Sequence, residues 1–194
     1  MASAGFVKKH VSDLATEVRR ELGLTPFDVL DPFALATNLE IPVLALSTLR
    51  GRSSGGAEYL IDEEPSALSA VTVFDGSRRT IIFNDSNTAE RQRSDVSHEL
   101  GHGLLLHEPT PALDDSGLRA WNQVMEDEAQ FMAGALLLTE QAIVAAVRRG
   151  DSPERTARTF RISVEMVRWR ANVTGAHKRT ARAKRKAPVL GSRN

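Results

Sequence analysis

Apolar residues recur near the start of the chain at Phe6, Val7, Val11, Leu14, Ala15, Val18 and Leu22. Steps of three and four predict an amphipathic helix ending near Gly23. Asp31 followed by Pro32 offers an N-cap and a first-turn proline, so a second helix should open there. The rhythm then shortens. "IPVLAL" (41–46), "AEYLI" (57–61), "SAVTVF" (69–74) and "TIIFN" (80–84) read as strands, and "DGSRR" reads as a hairpin turn between the last two. "RGRSSGGA" (50–57) reads as a flexible connection.

Helical spacing returns after Asn87, which with Glu90 predicts a capping box. The helix it opens runs through "SHELGHGLLLHE" (97–108) and should stop before Pro109. "EPTPALDDSG" reads as loop, followed by a helix from Trp121 to Leu138 and another from Glu140 to Arg149. Helices, a small sheet and more helices make an α+β pattern. We therefore expect a small, mostly antiparallel sheet packed with helices, and a helical pair towards the C-terminus.

Charge divides the chain further. The net charge is zero, yet residues 1–147 hold 11 basic against 22 acidic side chains and residues 148–194 hold 14 against 3. The expected organisation is a main domain over 1–147, a helical pair over 148–175 packed on it, and a basic mobile tail over 176–194. Cysteine is absent, so any metal must be held by histidine and carboxylate, and a reducing cytoplasm is the expected setting. The charged, amphipathic N-terminus is unlike a signal peptide. The apolar run Phe131–Val147 is broken by Thr139, Glu140 and Gln141 and falls short of the roughly 20 residues a membrane span requires.

The segment 97–108 carries the chemistry. On a helix, residues four apart differ by about 40° in direction and about 6 Å in height, so His98 and His102 project side by side and can grip one ion. Glu99 stands about 60° from His102, close enough to address a metal-activated water without ligating. This is the HExxH arrangement of zinc hydrolases, and it makes the helix a zincin-like active-site helix. Zinc held by three protein ligands lowers the pKa of water to about 7 and polarises a carbonyl, leaving Glu99 as the base.

A third ligand must come from elsewhere. Leu105 and Glu108 stand where a metzincin has glycine and histidine, which excludes that class. His107 lies about 140° round from His102, so a continuous helix would point it away from the metal, towards a helix C-terminus that favours positive charge. In "MEDEAQFMAGALLL" (125–138), one helical face holds Glu126, Ala129, Gln130, Ala133 and Leu137. The two alanines would allow a close approach to the motif helix, with Glu126 completing the site and Gln130 hydrogen-bonding a ligand histidine. Glu128 falls on another face, with Phe131, Met132 and Ala135, and Asp127 should face solvent.

"TIIFNDSNTAERQRSDVSHELGHGLLLH" followed by "EDEAQFMAGALLL" resembles the ImmA/IrrE family of metallo-endopeptidases, as does the opening "FDVLDPFALATNLEIPVLAL". The resemblance covers residues 5 to 175. It implies Zn2+ held by His98, His102 and Glu126, with Glu99 as catalytic base. Family members with known roles cleave helix-turn-helix repressors, often in mobile elements or stress responses, so the implied partner is a protein substrate of that kind. The sequence departs from the family pattern at Thr139, where a proline is usual, and at His107, one residue later than in "HLLLH" versions.

Two other function classes remain. The segment 152–175 resembles a helix-turn-helix, which would bring Arg168 and Arg170 to DNA and make the protein a transcriptional regulator with a structural or sensory metal. Arg161 stands where that motif commonly has glycine, and a purely structural pair of helices is the reading the sequence favours. Lys178 and Arg179 begin a stretch with seven positive charges and no acid, a further candidate contact to nucleic acid. The chain would otherwise be a partner module of a phage or toxin–antitoxin system. Tyr59, His107 and His177 are candidates for stabilising an oxyanion, none of them singled out by spacing, and "AVTVF" is a strand that an extended substrate can pair with.

Overall fold

The computed structural model describes residues 4–52, 56–108 and 122–186. In chain order these form α1 (Ala4–Glu21), α2 (Pro32–Asn38), β1 (Val43–Ala45), a 3-10 turn (Leu46–Leu49) and α3 (Gly56–Asp62). A hairpin of β2 (Ala70–Asp75) and β3 (Arg78–Phe83) leads into α4 (Ala89–Leu104). Then come α5 (Gln123–Leu137), α6 (Glu140–Arg149), α7 (Pro153–Phe160), α8 (Val164–Val173) and α9 (Ala176–Lys186). The fold is α+β.

Local chemistry sets the helix starts. Asp31, Asn122, Thr139, Ser152 and Ser163 each accept a hydrogen bond from a backbone N–H in the first turn of α2, α5, α6, α7 and α8. Such caps satisfy donors that the helix leaves unpaired. Thr139, in the position where proline was the familiar residue, caps α6 and also donates to the Pro26 carbonyl. α4 is capped by Thr88 rather than Asn87. Asn87 instead uses its amide on Asp95 and its carbonyl on Gln92.

The sheet has three strands in the order β1-β3-β2, and it is mixed, with the longer pairing antiparallel and the shorter one parallel. β2 and β3 are antiparallel with Val71 opposite Ile82 and Val73 opposite Thr80, while β1 joins β3 in parallel with Val43 opposite Ile81. β2 is therefore an edge. The predicted strand 57–61 is α3: Ala57 faces inward, and Glu63 and Glu64 donate to the Tyr59 carbonyl in helical fashion. A five-residue apolar run has too few periods to separate the two states, and Ala, Glu and Leu favour helix. The glycine-rich connection lies partly, and "EPTPALDDSG" almost wholly, outside the described residues.

A single apolar cluster runs from Val11 and Ala15 of α1 through Val96 and Leu100 of α4 and the α5 residues Phe131 to Leu137, and on to Phe160, Val167 and Ala176. The helical pair α7–α8 thus shares its core with the rest of the chain. α9 replaces the mobile tail expected up to Lys186, since Ala176 and Thr180 are buried one turn apart and tie its first half down. Residues 187–194 lie outside the described residues. Among the described residues no single helix is long and apolar enough to cross a membrane; α5 and α6 would suffice only together, and they meet at a 60° bend.

Two buried arginines fix the C-terminal end of α5. Arg19 donates to the carbonyls of Leu136, Thr25 and Asp28, and Arg170 donates through Nε to the carbonyl of Leu138. Guanidinium groups suit this place because the last carbonyls of a helix lack intrahelical donors and carry partial negative charge.

Candidate metal centre

α4 has three surfaces. Val96 and Leu100 are fully buried in the core, and Gly101 abuts the backbone of Ala129 on α5. The third surface carries His98, Glu99 and His102, all half-buried. The Nε2 atoms of His98 and His102 are 3.1 Å apart. Glu126, in the first turn of α5, places Oε2 3.1 Å from His98 Nε2 and Oε1 3.6 Å from His102 Nε2.

One ligand atom from each of these three residues lies within 4.8 Å of the others. Two nitrogens bound to one tetrahedral zinc at about 2.05 Å each would stand about 3.3 Å apart, close to the separation between the two imidazoles. Two imidazoles and a carboxylate are also the donor set of catalytic zinc sites, with a fourth position left open. The residues present fit the ion. Close packing of the helices explains why they meet: Ala129 and Ala133 are buried, and the carbonyl of Ala129 lies under Gly101.

Electrostatics prepare the group. Burial, reinforced by the neighbouring His98 and against the pull of Glu126, pushes the His102 imidazole down to about 4, so its lone pair is free at neutral pH. Burial also raises the Glu99 carboxyl above the usual carboxylate range, opposed by the Thr72 hydroxyl and by His98. Thr72, on β2, donates a 2.5 Å hydrogen bond to Glu99 Oε2. The strand thereby reaches Glu99, the glutamate between the two histidines.

A second layer lies behind His102. His107 does not point away: its Nδ1 is 3.0 Å from His102 Nδ1, and its Nε2 is 3.2 Å from Glu128 Oε2. The expectation failed because α4 stops at Leu104. Leu106 takes a left-handed backbone with φ of 54°, its N–H bonds the Gly103 carbonyl, and His107 N–H bonds the His102 carbonyl. This closure turns the chain back over the helix end. Glu128 keeps its separate face of α5, yet it reaches the site through His107. Gln130 makes no hydrogen bond to either ligand histidine, the partner of His102 Nδ1 being His107.

The other candidates scatter. Tyr59 is exposed on α3, and His177 is exposed on α9. Arg170 is wholly buried, stacked over Phe131 with its guanidinium carbon 5.0 Å from the ring centroid, and so it is unable to contact DNA. Its apolar neighbours Phe131 and Trp169 and the Leu138 carbonyl drew it inward, a pull that charge alone does not reveal. Arg168 is exposed but faces Glu154 at 3.5 Å, Arg179 pairs with Glu140, and Lys178 is exposed on α9.

The sequence profile of the IrrE N-terminal-like domain, a peptidase family, matches residues 59–172, more than half of the chain. The chain belongs to this family. A search of the curated proteins gave no match. The IrrE-like segment spans α3 to α8, including the hairpin, the HExxH helix and Glu126. A metallopeptidase-type function is what this membership supports, and the His98, His102 and Glu126 cluster is where an IrrE-like peptidase would hold its metal. α1, α2 and β1 lie outside the matched segment, although they belong to the same fold.

Proposed function

We propose that the chain is a zinc-dependent endopeptidase of the reducing cytoplasm that hydrolyses a peptide bond in a regulatory protein, most simply a helix-turn-helix repressor. The observation that carries the chemistry is the convergence of His98, His102 and Glu126 beside a half-buried, hydrogen-bonded Glu99. Bound Zn2+ would supply Lewis acidity, polarising the scissile carbonyl and acidifying water. The rest falls to the protein. Thr72 holds Glu99 Oε2 and leaves Oε1 to accept the proton of the attacking water, and the same carboxyl then protonates the departing amine.

Substrate alignment follows from the sheet order. β2 is an edge strand with Val71 and Val73 exposed, and its Thr72 touches the base. An extended peptide added along β2 would pass beside Glu99, its backbone held by main-chain hydrogen bonds and its side chains read by the apolar edge. The repressor as target rests on family resemblance.

Purified protein incubated with Zn2+ and a helix-turn-helix repressor encoded beside its gene should cleave that repressor on a gel. Glu99→Gln should keep zinc and lose cleavage, because an amide does not accept the proton. Glu126→Ala should lose zinc. Full cleavage by Glu99→Gln would refute the assignment of the base. The reading as a DNA-binding regulator finds less support, since Arg170 is buried and Arg168 is paired with an acid.

A further inference from the structure

We propose that His107, held by Glu128, is a positioning residue that fixes the tautomer of His102 in its metal-binding form. The inference rests on the metal-centre reading above and concerns residues beyond the ligand set. The atoms form a chain: Glu128 Oε2 to His107 Nε2 at 3.2 Å, and His107 Nδ1 to His102 Nδ1 at 3.0 Å. Its far end, His102 Nε2, faces His98 and Glu126.

The order of protons follows from the donor inventory. An ionised carboxylate only accepts, so His107 Nε2 must carry a hydrogen and donate it to Glu128. A neutral imidazole has one N–H, which leaves His107 Nδ1 as an acceptor. His102 Nδ1 must then be the donor in the next bond, and its Nε2 keeps the lone pair directed at the ligand cluster. The opposite tautomer would place a hydrogen on Nε2, where the ion must sit, and would set two bare Nδ1 lone pairs against each other at 3.0 Å. His107 is well placed to impose the order, because its side chain is only 8% exposed and has little competition from water.

The backbone makes the same point. Leu106 is 82% exposed and adopts a left-handed conformation, which L side chains disfavour, and the turn it makes returns His107 to the helix end. An unperturbed helix would carry His107 away from His102.

Zinc affinity measured by competition with a chelator on the full chain tests this. His107→Phe keeps volume and removes the acceptor, and it should weaken zinc binding by about 10–100-fold. His107→Asn places Oδ1 near the position of Nδ1 and should restore affinity to within a few-fold of the original. Glu128→Ala should fall between them. Nitrogen NMR of the zinc-free protein should show neutral His102 protonated at Nδ1 in the original chain and in His107→Asn, and its hydrogen moved towards Nε2 in His107→Phe.

Equal affinity in His107→Phe and the original chain would overturn the proposal, as would equal losses in the Phe and Asn variants. If His107→Phe does not fold, the comparison of His107→Asn with Glu128→Ala and the NMR assignment decide. A chain that binds no zinc at all would refute the metal centre itself, an outcome separate from these.

Discussion

Gly101 lies between the two helices that carry His98, His102 and Glu126, and replacing it with alanine measures how closely they must approach. A Cβ there would lie 2.9 Å from the Ala129 carbonyl oxygen, 3.3 Å from its Cα and 3.4 Å from its carbonyl carbon. Since non-bonded heavy atoms prefer about 3.5 Å or more, the helices must part by about 0.5 Å. Both obstacles are backbone, so no side chain can rotate out of the way. Overpacking of this kind costs about 1–3 kcal/mol. At about 2–4 °C per kcal/mol, the apo protein should melt about 2–12 °C lower. The separation also moves Glu126 relative to His98 and His102 by more than the about 0.2 Å that metal–ligand distances tolerate. Strain that zinc must then repay lowers its affinity by about tenfold per 1.4 kcal/mol. Gly103→Ala is the control, because its Cβ would meet only the guanidinium tip of Arg79, a flexible side chain able to move. It should change melting by less than about 2 °C. Thermal unfolding and zinc titration of both variants check the reasoning. A Gly101→Ala protein with unaltered melting and unaltered zinc affinity would refute it.

Three further outcomes are expected. Thr72→Val removes the hydroxyl that lowers the Glu99 pKa, so the acid limb of the pH–rate profile should move to higher pH; an unmoved limb would separate Thr72 from the base. The His102 imidazole is held down at about 4 in the folded apo protein against about 6.5 when unfolded, so the unfolded state binds the extra proton between those values. Its contribution to stability is whole above about pH 6.5 and is lost as pH falls towards about 4. The urea midpoint of the apo protein should therefore decline more over this window than that of His102→Asn, and identical slopes would contradict the burial effect. At Arg170, buried with both terminal nitrogens lacking protein partners and its pKa lowered to about 10, methionine should be tolerated to within about 1 kcal/mol because it keeps the packing and removes a desolvated charge. Alanine should cost about 2–4 kcal/mol through the cavity beside Phe131 and Trp169, and a urea titration showing equal costs would count against that account.

What the sequence disclosed and what it concealed have physical reasons. α6 was readable from end to end because Thr139 caps it, its apolar positions keep helical spacing and Gly150 ends it in a left-handed turn. Asp31–Pro32 and the turn after Asp75 were equally explicit. The pairing of His98 with His102 follows from helix geometry alone, and Glu126 followed from a stripe of small residues. The return of His107 was hidden because the residue that ends α4 in a left-handed conformation is Leu106, where a glycine would have announced the stop. Parallel pairing of β1 with β3 has no local signal, since it depends on a crossover of more than thirty residues. α3 was too short to show a period, and the inward turn of Arg170 was invisible because burial of a cation is decided by its surroundings.

The anchoring of α5 gives that helix a fixed root. Arg19 and Arg170 hold Leu136 and Leu138 at one end, and Glu126 sits ten residues back, past the Ala129 contact with Gly101, about 15 Å away. A tilt of about 2° at the root would swing Glu126 by about 0.5 Å, enough to spoil a coordination sphere. The aim of the proposed metal centre thus depends on two guanidinium rivets as well as on the Gly101 contact, and residues that would never approach the ion belong to its mounting.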